Sequence, residues 1–112
     1  DAHDCAAREL AEETGLRARE WVQVLEMDLS NSLTDEQAVI FIATDLTPGA
    51  ADPDPTEVLR RHKAHFLDVL ARVVDGRIRD TMTVAAVLRA HHMAVTGQLP
   101  AALTAAMLRQ GE

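Results

Sequence analysis

Cysteine, tyrosine and long apolar runs are scarce or missing in this sequence of 112 residues. A single cysteine, Cys5, cannot form a disulfide within the chain, and no secretory leader pattern opens the sequence, which together predict a cytoplasmic protein. Aromatic residues make up 3% of the chain, which predicts a core of aliphatic and alanine side chains. No apolar run approaches the roughly 20 residues that span a bilayer, so the sequence predicts no membrane helix.

Basic residues are also few. The chain has 11 lysines and arginines against 18 aspartates and glutamates, which gives a formal net charge of −7. Such a surplus repels a phosphate backbone at long range, so we expect neither a nucleic acid nor an anionic membrane surface as a partner. An acidic protein can still bind phosphate groups where a divalent cation bridges them.

The first half of the chain predicts one helix and two strands. Strong helix formers fill residues 2–14, and Gly15 suits the left-handed position that follows a helix. The apolar run 38–43 predicts a strand covered on both faces, paired antiparallel with an earlier half-buried strand at 20–29. The period-two pattern of that earlier strand places on one face Trp21, Gln23, Leu25, Met27 and Leu29.

The second half predicts mostly helices. The segment 47–55 is rich in proline, glycine and aspartate, which predicts a surface loop that can bring carboxylates near a ligand. The stretch 57–74 fits a helical stripe, but its start equally fits a short strand. Asp80 or Thr81 then suits the N-cap of a helix that reaches residues 96–97, and a last short helix is expected over 100–109.

Three glutamates, Glu9, Glu12 and Glu13, project from one side of the first helix within a single turn. Like charges at this spacing repel by roughly 0.2–0.5 kcal/mol a pair, so the cluster indicates a divalent cation unless it is an ordinary solvated face. Mg²⁺ and Mn²⁺ take oxygen ligands and bridge carboxylates to phosphates. Arg8 is placed to brace one carboxylate, whereas Cys5, with no basic neighbour in sequence, is expected to be a packing residue.

One stretch of this helix resembles the second half of the Nudix box at every fixed position. That half reads Arg-Glu-U-x-Glu-Glu-x-Gly-U, where U is aliphatic, and this chain has Arg8-Glu9-Leu10-x-Glu12-Glu13-x-Gly15-Leu16. Counting back, the seven free positions of the motif fall on residues 1–7, so its earlier glutamate and glycine would precede the chain. The sequence therefore resembles a Nudix hydrolase domain, over residues 1–112, without its N-terminal part, and we expect this portion alone to be inactive.

The resemblance implies an α+β fold, the Nudix α/β/α sandwich with a mixed sheet. This chain would hold the C-terminal portion, with the Nudix helix, about three strands and the C-terminal helices. The order of segments resembles the ADP-ribose pyrophosphatase branch, which places a further strand at 76–80. In the ambiguous stretch it favours a strand at 57–63 and a helix at 66–75.

The resemblance also implies roles for individual residues. Glu9 and Glu13 would be direct ligands of Mg²⁺ or Mn²⁺, Glu12 would bind a further ion or act through water, and Arg8 would support them. The general base lies outside the box in this branch. Glu57, after the acidic loop, is the preferred candidate, and Glu36 is the alternative.

The implied reaction is attack of water on a nucleoside diphosphate linked to another moiety, most simply ADP-ribose or another nucleotide sugar. Many ADP-ribose enzymes carry Ser-Pro-Gly where this chain has Ser30-Asn31-Ser32. The resemblance therefore supports hydrolysis of a nucleoside diphosphate better than it supports ADP-ribose as the substrate. The alternative is a Nudix-fold module that binds a nucleotide or a partner without hydrolysis, but the intact set of glutamates favours catalysis. The branch also leads us to expect a homodimer.

Overall fold

The computed structural model describes residues 1–29, 36–50 and 62–110. These residues form an α+β structure of four helices and two strands: α1 (Ala2–Thr14), β1 (Arg17–Asp28), β2 (Gln37–Thr47), α2 (Phe66–Val74), α3 (Thr81–Val95) and α4 (Ala101–Met107). The chain divides into two compact units, Asp1–His62 and Lys63–Glu112. No helix in the described ranges is long and apolar enough to cross a bilayer.

Helix α1 of the first unit is capped at both ends. At its start, the backbone N–H of Asp4 donates to Oδ1 of Asp1 at 2.8 Å. At its end, Gly15 adopts the left-handed conformation with φ of 76°, and its N–H donates to the carbonyl of Ala11 at 2.9 Å. The predicted helix and its left-handed end are both confirmed.

Strands β1 and β2 form an antiparallel hairpin, as the sequence predicts. Arg17 pairs with Thr47 at the end next to α1, and Asp28 pairs with Gln37 at the opposite end. Beyond that pair the N–H of Leu29 donates to the carbonyl of Glu36 at 3.0 Å. The described sheet consists of these two strands, so the mixed sheet of the Nudix fold remains a prediction.

The face predicted for β1 is wrong because the strand contains a β-bulge. Gln23 lies opposite Phe41, but Leu25 lies opposite Ile40, so β1 contains one extra residue, Val24, between two positions that are consecutive on β2. An inserted residue resets the alternation of side chains. Val24 is accordingly buried, at 3% exposure, while Gln23 is exposed. A count in steps of two along the sequence cannot detect this insertion.

The apolar run of β2 is less covered than its composition predicts. Ala38 is buried, but residues 39–43 are half-buried. The expectation of complete cover on both faces is therefore met at Ala38 and not along the rest of the run.

Three rings fasten the start of α1 to the hairpin. The imidazole of His3 packs edge-on against Trp21 of β1 and Phe41 of β2, with ring centroids 5.0 and 5.7 Å away. Trp21 and Phe41 are also in edge contact at 6.0 Å, and the indole N–H of Trp21 donates to the carbonyl of Ala18 at 3.2 Å. Edge-to-face rings attract beyond their buried area. Two of the few aromatic side chains thus serve to dock one helix.

The second unit consists of α2, α3 and α4 around an interior of aliphatic and alanine side chains. Its buried apolar residues are Val73, Ala90, Met93, Ala94, Leu99 and Met107. Helix α3 begins at the N-cap Asp80, whose Oδ2 accepts the N–H of Thr83 at 3.0 Å and its hydroxyl at 2.7 Å. The predicted helices α2 and α3 are confirmed, although each ends one or two residues before its predicted end, and α4 is shorter than the segment 100–109.

The strand expected at 76–80 is not formed, because local hydrogen bonds satisfy this backbone. The N–H of Arg77 donates to the carboxylate of Asp75 at 3.0 Å, and the N–H of Ile78 donates to the carbonyl of Arg72 at 2.9 Å. The segment is a turn between α2 and α3. Of the strand expected at 57–63, residues 57–61 lie outside the described residues, and residues 62–63 belong to no strand.

The aromatic contacts predict the effect of Trp21→Ala. The change removes both ring contacts of the half-buried indole, so the free energy of unfolding should fall by about 2 kcal/mol. Urea unfolding followed by circular dichroism measures it. Val95→Ala, at a side chain that is 55% exposed on α3, is the control and should change little. Equal losses in the two variants would contradict the docking role of Trp21.

The N-cap of α3 predicts an acid-sensitive contribution to stability. The bonds from the side chain and backbone of Thr83 lower the pKa of Asp80 below its usual value. A carboxylate with a lowered pKa stabilises the fold above its unfolded pKa, and this contribution is lost as pH falls through the folded pKa. Asp80→Asn keeps a hydrogen-bond acceptor at the N-cap but removes the carboxyl group that titrates. The melting temperature of this variant should therefore fall less steeply below about pH 4 than that of the wild-type protein. An identical acid dependence of the melting temperature in both proteins would contradict this.

Candidate functional site

The three glutamates lie on the exposed side of α1. Successive residues of an α-helix are about 100° apart, so Glu9 and Glu13 lie about 40° apart around the axis and Glu12 lies about 60° to the other side of Glu9. All three side chains are exposed, whereas the half-buried positions of the helix, such as Leu10, lie on the other side. The predicted sharing of one face is therefore present in the structure.

The carboxylate oxygens of the three glutamates do not lie close together. In the part of the chain that the structure describes, the group of three possible ligands within 4.8 Å of one another is Asp1, His3 and Asp4, not the glutamates. Like charges on long exposed side chains separate in water. The donor set nevertheless fits Mg²⁺ or Mn²⁺, which prefer carboxylate oxygens and retain several positions for water and phosphate.

The Asp1, His3 and Asp4 group has a structural explanation. Asp1 accepts the N–H of Asp4 as the helix N-cap, and Nδ1 of His3 lies 4.0 Å from Oδ1 of Asp4. His3 also makes the ring contacts that dock α1. Capping and docking therefore account for these three residues.

Arg8 contacts the glutamate face directly. Its Nε lies 4.0 Å from Oε1 of Glu12, one turn along the helix. Its Nη2 lies 3.8 Å from Sγ of Cys5, and that thiol lies 3.8 Å from Oε1 of Glu9. The expected contact between Arg8 and a carboxylate is present as an exposed ion pair.

The expectation that Cys5 is a packing residue with no basic neighbour is wrong, because Cys5 is exposed and Arg8 follows it on the same face.

The helix turn that carries Glu12 and Glu13 is fixed by its end. The hydroxyl of Thr14 donates to the carbonyl of Leu10 at 2.6 Å and accepts the N–H of Leu16 at 3.0 Å. Gly15 follows at φ of 76°, a conformation that costs a residue with a Cβ about 1 kcal/mol. The left-handed end of α1 thus explains why the Nudix-like string has a glycine at position 15 of this chain.

A close contact at the same end was not predicted from the sequence. A Cβ placed on Gly49 would lie 2.9 Å from the carbonyl oxygen of Gly15 and 3.5 Å from Nη1 of Arg17. That Arg17 nitrogen donates to the same carbonyl at 3.4 Å. Gly49 follows a proline in a segment typical of loops, so the sequence offers a turn signal there but no signal of this approach.

Of the two candidate bases, Glu36 lies within the described residues and Glu57 does not. Glu36 is exposed, directly precedes β2, and lies beyond the pair of Asp28 and Gln37, at the end of the hairpin away from Gly15. From Thr47 to Glu36 the strand runs for about 35 Å at 3.3 Å per residue. The structure therefore does not bring Glu36 to the glutamates of α1. Glu57 lies outside the described residues.

Comparison with known proteins gives a partial match. No protein-family model matches the chain. The ADP-ribose pyrophosphatase of Mycobacterium tuberculosis (strain ATCC 25618 / H37Rv) is 30% identical over 93 residues, which cover 80% of this chain and 44% of that protein. The chain is similar to part of an ADP-ribose pyrophosphatase. It spans less than half the length of that relative.

Proposed function

We propose that the protein containing this chain is a metal-dependent Nudix hydrolase that cleaves a nucleoside diphosphate linked to another moiety. The observation that carries the proposal is the Nudix-like string on α1, whose three glutamates are exposed on one side and whose glycine ends the helix in a left-handed conformation. The similarity to part of an ADP-ribose pyrophosphatase supports ADP-ribose or a related nucleotide sugar as the substrate. ADP-ribose would yield AMP and ribose 5-phosphate.

The glutamates of α1 would hold Mg²⁺ or Mn²⁺. Glu9 and Glu13, one turn apart, would be direct ligands, and Glu12 would bind a further ion or act through water. An ion held by these glutamates would supply a more acidic bound water and would shield the charge of the diphosphate. Arg8, at ion-pair distance from Glu12, offsets the repulsion among the three carboxylates.

We propose Glu57 rather than Glu36 as the general base. Gly49 lies against the C-terminal end of α1, and Glu57 follows eight residues later. An extended chain of that length reaches at most about 28 Å, which allows Glu57 to approach the glutamates. Glu36 of the same chain is held at the far end of the hairpin, about 35 Å along β2.

The Glu13→Gln variant tests the catalytic proposal. Loss of one direct ligand should lower kcat/KM for ADP-ribose by about 100-fold or more without loss of helix, because the side chain is exposed. AMP release with Mn²⁺ or Mg²⁺, and its loss with a chelator, are the measurements. Glu26→Gln makes the same charge change at an exposed position of β1 and should retain activity. Near-normal turnover by Glu13→Gln would remove Glu13 from the site.

A pair of variants tests the choice of base. Glu57→Gln should lower kcat by about 100-fold or more while Mn²⁺ affinity is retained, because a base transfers a proton without holding the metal. Glu36→Gln should leave kcat unchanged. Steady-state kinetics and Mn²⁺ titration separate the two effects. The opposite outcome, with kcat reduced only in Glu36→Gln, would assign the base to Glu36.

A further inference from the structure

Helix α1 is fastened to the rest of its unit at its two ends. His3 makes the aromatic contacts at the first end, and the carbonyl oxygen of Gly15 lies at the second. No residue of α1, all of which is described, is buried. The position of the last turn, which carries Glu12 and Glu13, therefore depends on the contacts made around Gly15 as well as on the half-buried side of the helix.

Three segments meet at that carbonyl oxygen. It belongs to the C-cap of α1, it accepts the guanidinium N–H of Arg17 at the start of β1, and the backbone of Gly49 after β2 lies directly against it. A Cβ at position 49 would approach to 2.9 Å, closer than carbon and oxygen atoms tolerate. The obstructing atom is backbone, so no side-chain rotation relieves the contact.

We propose that Gly49 is a positioning residue for Glu12 and Glu13, because its missing side chain lets segment 48–50 lie against the end of α1 and hold the last turn in place. Arg17 completes the same contact from β1. Neither residue belongs to the Nudix-like string, and neither is one of the proposed metal ligands. The inference rests on the proposed function, since it assigns to these residues the alignment of the proposed metal ligands.

Gly49→Ala in the full protein tests this inference. The added methyl group must displace segment 48–50, so hydrogen exchange of the Gly15 amide should accelerate. The dissociation constant for Mn²⁺, measured by electron paramagnetic resonance, should rise about 10-fold or more, while KM for ADP-ribose stays nearly unchanged. Ala50→Ser, which adds one heavy atom at the next, exposed residue, is the matched control and should change neither quantity.

Arg17→Met gives a second, milder test. It removes the donor to the Gly15 carbonyl and keeps the apolar stem of an exposed side chain, so folding should be retained. We expect a rise of roughly 2- to 5-fold in the Mn²⁺ dissociation constant, the effect of losing one exposed hydrogen bond. Unchanged Mn²⁺ affinity in folded Gly49→Ala overturns the inference. If Gly49→Ala does not fold, unchanged affinity in Arg17→Met does so.

The same titration separates the inference from the proposed function. If the wild-type protein binds Mn²⁺ through Glu13 but does not hydrolyse nucleoside diphosphate sugars, the proposed function is wrong while the effect of Gly49 on Mn²⁺ affinity is still measured. If the wild-type protein binds no Mn²⁺ that Glu13→Gln removes, both are wrong.

Discussion

The attachment of α1 to the hairpin is the constraint on which the candidate site depends. The helix buries no residue completely, and the side opposite its glutamates, which includes Leu10, is half-buried. Ring contacts of His3 hold its first turn, and contacts around the Gly15 carbonyl hold its last. Fixing both ends leaves the outer side of the helix free to expose three carboxylates. A helix buried along one full face would resist displacement better, but most of the buried apolar residues in the described part of the chain belong to the second unit.

The acidic surplus of the chain is partly concentrated on this helix. Three glutamates within one turn oppose one another, and Arg8 is the cation that the structure sets beside them, at 4.0 Å from Glu12. An exposed pair of this kind contributes little stability. The arrangement therefore adds little to the stability of the helix, and the proposed function assigns the three glutamates to a metal ion instead.

Local signals in the sequence were sufficient for α1, α3, α4 and the antiparallel hairpin, whereas the bounds of α2 came from the family resemblance. Gly15 and Asp80 determine helix ends through short-range hydrogen bonds, which a pattern of neighbours predicts well. The face of β1 was wrong because Val24 is a bulge, whose position depends on the partner strand. The approach of Gly49 to Gly15 joins residues far apart in sequence, so only the folded chain reveals it. The shared exposed side of the three glutamates, by contrast, followed from helical spacing alone.

The hydrogen bond between Leu29 and Glu36 closes the hairpin at the end that α1 does not reach. Changes in the length of the segment between those two residues would alter the closure entropy only slightly. We also expect such changes to leave the pairing of Arg17 with Thr47 undisturbed, because the other paired residues of β1 and β2 lie between that pair and the segment. We therefore expect changes at that end of the unit to leave the glutamate helix in place.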